Sequence, residues 1–204
     1  MGMAARYLTE MLSADALDAQ RVAYGRTGRV PEAAGVDVLG SDERDFITSR
    51  DAFFMATVTR SGWPYVQHRG GPPGFLRVLG ENTLAFADLK GNRQLLSTGN
   101  LAAVDRVALF LIDYPQRVRL KIMGHARTVD AGADPALADR VSPSPELRAR
   151  IERVFVIDVV GFDWNCPAYI TPRYTAEEVE EVVAPLRARV AELEAQLAAE
   201  RARR

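Results

Sequence analysis

Apolar positions recur along the chain at two different periods. Tyr7, Leu8, Met11, Leu12, Leu17 and Val22 fall at roughly helical spacing, which predicts helix over residues 1–24. Residues 25–40 carry Gly25, Gly28, Pro31, Gly35 and Gly40 and read as an extended arm. Ser41-Asp42-Glu43 offers an N-cap and two first-turn acids for a short helix to about residue 50. The period then changes to that of strands. Residues 53–59 and 65–69 flank the turn Ser61-Gly62, and residues 75–79 and 83–87 flank Gly80-Glu81-Asn82, giving two hairpins.

Residues 92–98 suggest a short helix stopped at Gly99-Asn100. Residues 106–113 hold a continuous apolar run, as expected of a strand buried on both faces. Residues 117–130 read as a long strand, with Val118, Leu120 and Ile122 on one face and Arg117, Arg119 and Lys121 on the other. Gly124 inside that strand marks a bulge or a close backbone approach. Residues 131–147 are rich in Ala, Asp and Pro, and 153–160 is the last strand. Short strands joined by tight turns predict a closed antiparallel barrel rather than βαβ units. Beyond it, Thr175-Ala176-Glu177-Glu178 is a capping box. It opens a helix in which Val179, Val183, Leu186, Val190, Leu193 and Leu197 form a heptad seam, interrupted by Pro185. That seam suits either a partner subunit's helix or the chain's own barrel. The implied organisation is a helix and arm over 1–40, a barrel over 41–174 and a C-terminal helix over 175–204.

Composition narrows the function classes. Hydrophobic residues make up 48% and charged residues 26% of 204, as in a globular chain with a sizeable core. A net charge of -1 gives no electrostatic reason for nucleic acid or an anionic membrane as partner. No apolar run approaches a membrane span and the N-terminus lacks a signal-like core, so a cytoplasmic location is expected. One cysteine excludes an internal disulfide framework, and two histidines make a protein-built metal site unexpected.

Two stretches concentrate the available chemistry. In Asp88-Leu-Lys-Gly-Asn-Arg-Gln94, Lys90, Asn92 and Arg93 lie where a turn meets a helix start. Unpaired N–H groups and cations there suit a phosphate; a solvated turn is the other reading. In Gln67-His-Arg-Gly-Gly-Pro-Pro-Gly74, Gly70 and Gly71 carry no side chain and Gln67, His68 and Arg69 can donate hydrogen bonds. This suits a flat anionic ligand, or equally a structural bend. His68 is a candidate acid or base. Cys166 in Trp164-Asn165-Cys166-Pro167 is a redox candidate, or a buried inert thiol. A chain so poor in acid–base pairs leaves the chemistry to a cofactor.

The colinear series Gly62-Trp-Pro-Tyr65, His68-Arg-Gly-Gly-Pro-Pro-Gly-Phe75, Phe86-Ala-Asp88, Gly91-Asn-Arg93, Arg106-Val-Ala-Leu-Phe-Leu-Ile-Asp-Tyr114 and Gly124-His-Ala-Arg127 resembles the pyridoxamine 5′-phosphate oxidase-like, FMN-binding split-barrel family. Within it, the chain is similar to the branch described as predicted flavin-nucleotide-binding proteins. The resemblance spans about residues 40–174. It implies a mainly β fold, a six-stranded antiparallel split β-barrel with flanking helices, and a homodimer with FMN at the subunit interface. It further implies an oxidoreductase acting on a small molecule with a nicotinamide donor, or a flavin-binding module without its own turnover. A deazaflavin or haem is the alternative ligand. Carried over by position, Gln67, His68, Arg69, Gly70, Gly71 and Pro72 form the flavin-contacting strand, with Phe86 and Ala87 beside it. Lys90, Asn92 and Arg93 fall at the phosphate. Arg119 stands where the oxidase has a glutamine, and Trp164, Asn165 and Cys166 reach the site from the other subunit. The oxidase's phosphate-binding Arg and Lys on the first strand are here Gln67 and Pro72, so Arg69 takes over that charge. The oxidase's C-terminal Arg-x-His pattern is replaced by Pro172-Arg173-Tyr174, which separates this chain from vitamin B6 phosphate oxidation.

Overall fold

A computed structural model describes residues 5–91, 93–165 and 167–203, without the side chain of Asn165. The helices are α1 (Ala5–Met11), α2 (Ala14–Tyr24), α3 (Ser41–Ser49), α4 (Leu96–Leu101), α5 (Pro135–Val141) and α6 (Ala176–Ala202). The strands are β1 (Ala52–Val58), β2 (Pro64–Gly70), β3 (Arg77–Val78), β4 (Thr83–Leu89), β5 (Arg106–Asp113), β6 (Val118–Asp130) and β7 (Ile151–Asn165). The chain divides into two compact units, residues 1–113 with 118–167, and residues 114–117 with 168–204. No helix among the described residues is long and apolar enough to cross a membrane.

In the first unit all strands join one sheet in the order β2-β1-β5-β6-β7-β4-β3. Every pairing is antiparallel. The architecture is the mainly β one expected, with two differences: the sheet has seven strands rather than six, and hydrogen bonding does not close it. The seventh strand is β3, two residues long and paired only to β4. It is short because Phe75 and Leu76 turn into the core, Phe75 N–H donating to Pro72 O.

The sheet nevertheless curls on itself, since Phe53 on β1 meets Phe86 on β4 edge-on, with ring centroids 5.3 Å apart. Those strands are far apart in the hydrogen-bonding order, so the contact crosses the barrel interior. Around them the inward residues of five strands, including Met55, Leu109, Leu111, Leu120, Ile122, Phe155 and Ile157, are buried. A smaller apolar layer covers the other face of β4 and β7, where Ala85, Val154 and Val156 pack under Ala138 and Val141 of α5.

Three local differences have physical causes. The N-terminal helix is two helices, because Ser13 stops α1 and caps α2 by accepting from Ala16 N–H. The Ala-, Asp- and Pro-rich stretch 131–147 holds α5, started by Asp134 accepting from Leu137 N–H, with proline at the helix start where its missing N–H costs least. Strand β7 runs on to Asn165 through Gly161, whose absent Cβ leaves room for Tyr7 N and the Asp37 carboxylate. Asp37 accepts from Arg6, Tyr7 and Phe162 N–H, and so ties α1 and the arm to β7. The bulge foreseen at Gly124 is present, with a Cβ there falling 2.4 Å from Asp158 O.

In the second unit, α6 opens on the expected capping box, Glu178 N–H donating to Thr175 Oγ1 and Thr175 N–H to Glu178 Oε2. The helix continues past Pro185.

Candidate active site

Strand β2 is an edge strand, paired only with β1. Its side chains alternate between faces, as strand geometry requires. Tyr65, Gln67 and Arg69 are partly buried, whereas Val66, His68 and Gly70 are exposed. The Gly/Pro bend that follows is fastened to the α3–β1 junction, Gly71 N–H donating to Asp51 O and Gly74 N–H to Arg50 O. The Gly71 position is also filled on its own account: a Cβ there would lie 2.7 Å from the Phe75 ring. Its missing side chain therefore admits Phe75. At Gly70, a Cβ would come within 3.1 Å of the His68 ring.

On the inner face Arg69 Nη1 donates to Asp88 Oδ1 at 3.2 Å, and Arg153 Nη1 to Asp88 Oδ2 at 2.8 Å. Arg153 also reaches Glu152 at 3.0 Å. The Arg69 guanidinium sits over Phe155 and Phe86, 4.9 and 5.4 Å from their ring centroids, and those rings are stacked 4.8 Å apart. Burial pulls the Arg69 pKa below the ordinary arginine value, and the Asp88 carboxylate opposes that pull. Arg69 Nε is buried with no hydrogen-bond partner among the described residues.

This corner opens into a cleft of about 300 Å³ lined by residues 68–72, Phe75 and residues 86–89, with Pro143 and Leu147 at its rim. That volume stands at the lower end of small-molecule pockets, roughly 300–1,000 Å³. The structure thus brings His68, Arg69, Gly70, Gly71 and Pro72 together with Phe86 and Ala87. It does not place the other candidates in the same lining. Gln67 instead accepts from Ser97 Oγ at the start of α4. Lys90 and Arg93 are exposed just beyond the end of β4, and Lys90 N–H donates to Arg150 O. Arg119, on β6 between Ile112 and Asn165, has a buried Nε without a partner among the described residues. Trp164 donates to Glu43 Oε1 and meets Phe46 edge-on at 4.9 Å. Asn92, Cys166 and the side chain of Asn165 lie outside the described residues. His68 faces away from Arg69, its ring 5.5 Å from Phe54, so it stands outside the Arg69–Asp88 network.

The expected helix start at Asn92 is corrected. Helix α4 begins at Leu96, after Leu95 takes a left-handed φ of 51°, and runs through Gly99 and Asn100. Asn100 does not stop it because its side chain turns to Thr57 Oγ1 at 2.9 Å. Lys90, Gly91 and Arg93 therefore lie outside helix α4.

Sequence reasoning missed Asp88 and Arg153 as site residues. Asp88 had a signal: it is a charged residue inside the apolar strand Leu84-Ala-Phe-Ala-Asp-Leu89 and is buried. Arg153 had none, because its partner lies 65 residues away.

Beyond β2, the outer face of β1 and β5 is apolar and open. Phe54 stands between His68 and Phe110, and Ala56 between Val66 and Ala108. Phe54 and Val66 are 38% and 59% exposed. No group of three or more His, Cys, Asp or Glu that could hold a metal occurs among the described residues.

A family model described as pyridoxamine 5′-phosphate oxidase matches residues 41–157, more than half of the chain. Among solved structures, the chain is similar to a conserved hypothetical protein from Mycobacterium tuberculosis at 16% identity, covering 71% of this chain and 96% of that one, with a TM-score of 0.47. It is similar to an FMN-binding protein from Syntrophomonas wolfei at 13% identity, covering 60% and 83%, with a TM-score of 0.42. It is also similar to an F420 reductase at 19% identity, covering 61% and 98%, with a TM-score of 0.42. No curated protein matches.

Proposed function

The chain belongs to the pyridoxamine 5′-phosphate oxidase family, and we propose that it is an FMN-dependent oxidoreductase whose cofactor lies at the interface of a homodimer. The observation that carries this reading is the cleft between β2 and β4. It joins aromatic rings, a largely buried cation and an edge strand beside an exposed apolar face. At about 300 Å³ the cleft is small for one chain, and a second chain laid on the β2–β1–β5 face would deepen it.

The residues fit the group. Asp88 pairs with Arg69 and Arg153, and Glu152 with Arg153, so this cluster is close to balanced in charge. A phosphate brings close to two negative charges. Lys90 and Arg93, exposed at the end of β4, would supply the charge that meets it. In this assignment Lys90 and Arg93 hold the phosphate, Arg69 fixes the field beside the ring system, and the edge of β2 with its bend offers backbone. Arg119 and Trp164 would act from the other subunit. A bound flavin supplies hydride acceptance and electron transfer. The protein binds, orients and tunes, since Asp88 is held in two ion pairs and His68 faces away from them.

Asp88 is committed to its ion pairs and His68 lies outside that network, which favours a second reading, a flavin-binding module without turnover of its own. The two separate on mixing the FMN-loaded protein with NADPH or NADH without oxygen. Bleaching of the flavin band faster than that of free FMN supports the enzyme. A rate no faster than free FMN supports the module.

A further inference from the structure

The barrel and its cleft leave the C-terminal helix unexplained. Helix α6 exposes an apolar stripe along its length, with Leu186 62%, Val190 54% and Leu197 47% exposed. Such a stripe on a 27-residue helix wants a cover. In heptad terms Val179, Leu186 and Leu193 occupy d, and Val183, Val190 and Leu197 occupy a. Val183 and Val190 are β-branched at a and Leu186 and Leu193 stand at d, the combination that favours two strands, while Val179 at d and Leu197 at a depart from it. Pro185 falls at c, on the side away from the seam.

We propose that α6 pairs in parallel and in register with α6 of a second copy of this chain. The charges that flank the seam decide the orientation. In a parallel pair, the g position of one helix faces the next e position of the other. That sets Arg189 against Glu194 of the partner subunit, and by symmetry the reverse, while no other g–e pair carries like charges. An antiparallel pair using all six apolar positions would set position 183 against 193, 190 against 186 and 197 against 179. The flanking e positions would then bring Glu180 to Glu194 and Arg187 to Arg187, all repulsive. Sliding one heptad relieves that repulsion but leaves Val179 and Val183 outside the seam. Within the single helix Arg189 reaches Glu192, one turn away, and Glu194 enters no ion pair among the described residues. The pairing does not depend on what the cleft binds.

The test is disulfide trapping in the full-length protein. With Cys166→Ser removing the native thiol, Leu193→Cys places the new thiols face to face at a d position only in the parallel pair. Incubation in a glutathione redox buffer followed by non-reducing electrophoresis should give a covalent dimer. Ala188→Cys, at the outward f position, should stay monomeric on the same gel. Adding Arg189→Glu to Leu193→Cys should cut the dimer yield several-fold, and adding Glu194→Arg as well should restore it. No dimer at position 193, equal trapping at 188, or a charge reversal without effect or rescue overturns the proposal. The stripe would then face the chain's own barrel or another protein. Flavin content read on the same samples keeps this outcome separate from that of the cofactor.

Discussion

On the inner face of β2, Gln67 accepts from Ser97 and Arg69 is tied to Asp88 over two phenylalanine rings. On the outer face, Val66 and His68 are exposed and meet β1 only through Ala56 and Phe54 in the strand pairing. Neighbours in sequence thus do different work. The inner residues hold β2 against the far side of a barrel that backbone hydrogen bonds do not close. The outer residues are free to be covered by a second chain or a ligand. Residues 68–72 line one cleft, but only Arg69 is tied into the inner network, and Gln67 stands apart on Ser97.

The largest expected effect breaks the inner side of this comparison. Asp88→Ala leaves Arg69 without its carboxylate and Arg153 with Glu152 alone, and unpairing a buried ion pair costs about 3–5 kcal/mol. A urea denaturation curve should show that loss. A change of a few tenths would mean the inner network is no more structural than the outer face. Phe53→Ala removes the ring that crosses the barrel to Phe86 and should cost a similar amount, about 3–5 kcal/mol.

Next comes the charge outside both faces. Arg93→Ala should leave the unfolding midpoint in place and weaken FMN binding by about 1.5–3 kcal/mol, the range for a charge-assisted hydrogen bond. Fluorescence titration of FMN measures it, and unchanged affinity would move the phosphate elsewhere. The smallest effect belongs to the outer face. His68→Ala should change stability by no more than about 0.5 kcal/mol, as exposed substitutions do. A cost as large as that of Asp88→Ala would erase the distinction between the faces.

The sequence made most of this barrel legible, because strands with one buried face write their alternation into the chain. Residues 117–130 and the bulge at Gly124 are examples. What it hid depended on pairing. Asp88 meets Arg153 only because β4 and β7 run side by side in that register. Gly71 looked like an opening for a ligand, yet the space is taken by Phe75. A helix was expected from Asn92, a good cap by type, whereas α4 starts at Leu96 after the left-handed Leu95. Helix α5 was hidden by its proline, which lies at the one end of a helix that tolerates it.

The central claim is that the cleft beside β2 holds a flavin, and the visible spectrum of the purified protein tests it most directly. After addition of FMN and exhaustive dialysis, the account predicts a retained flavin band in stoichiometric amount. A protein that holds no flavin after that treatment would contradict it, leaving the split barrel in place but without its chemistry.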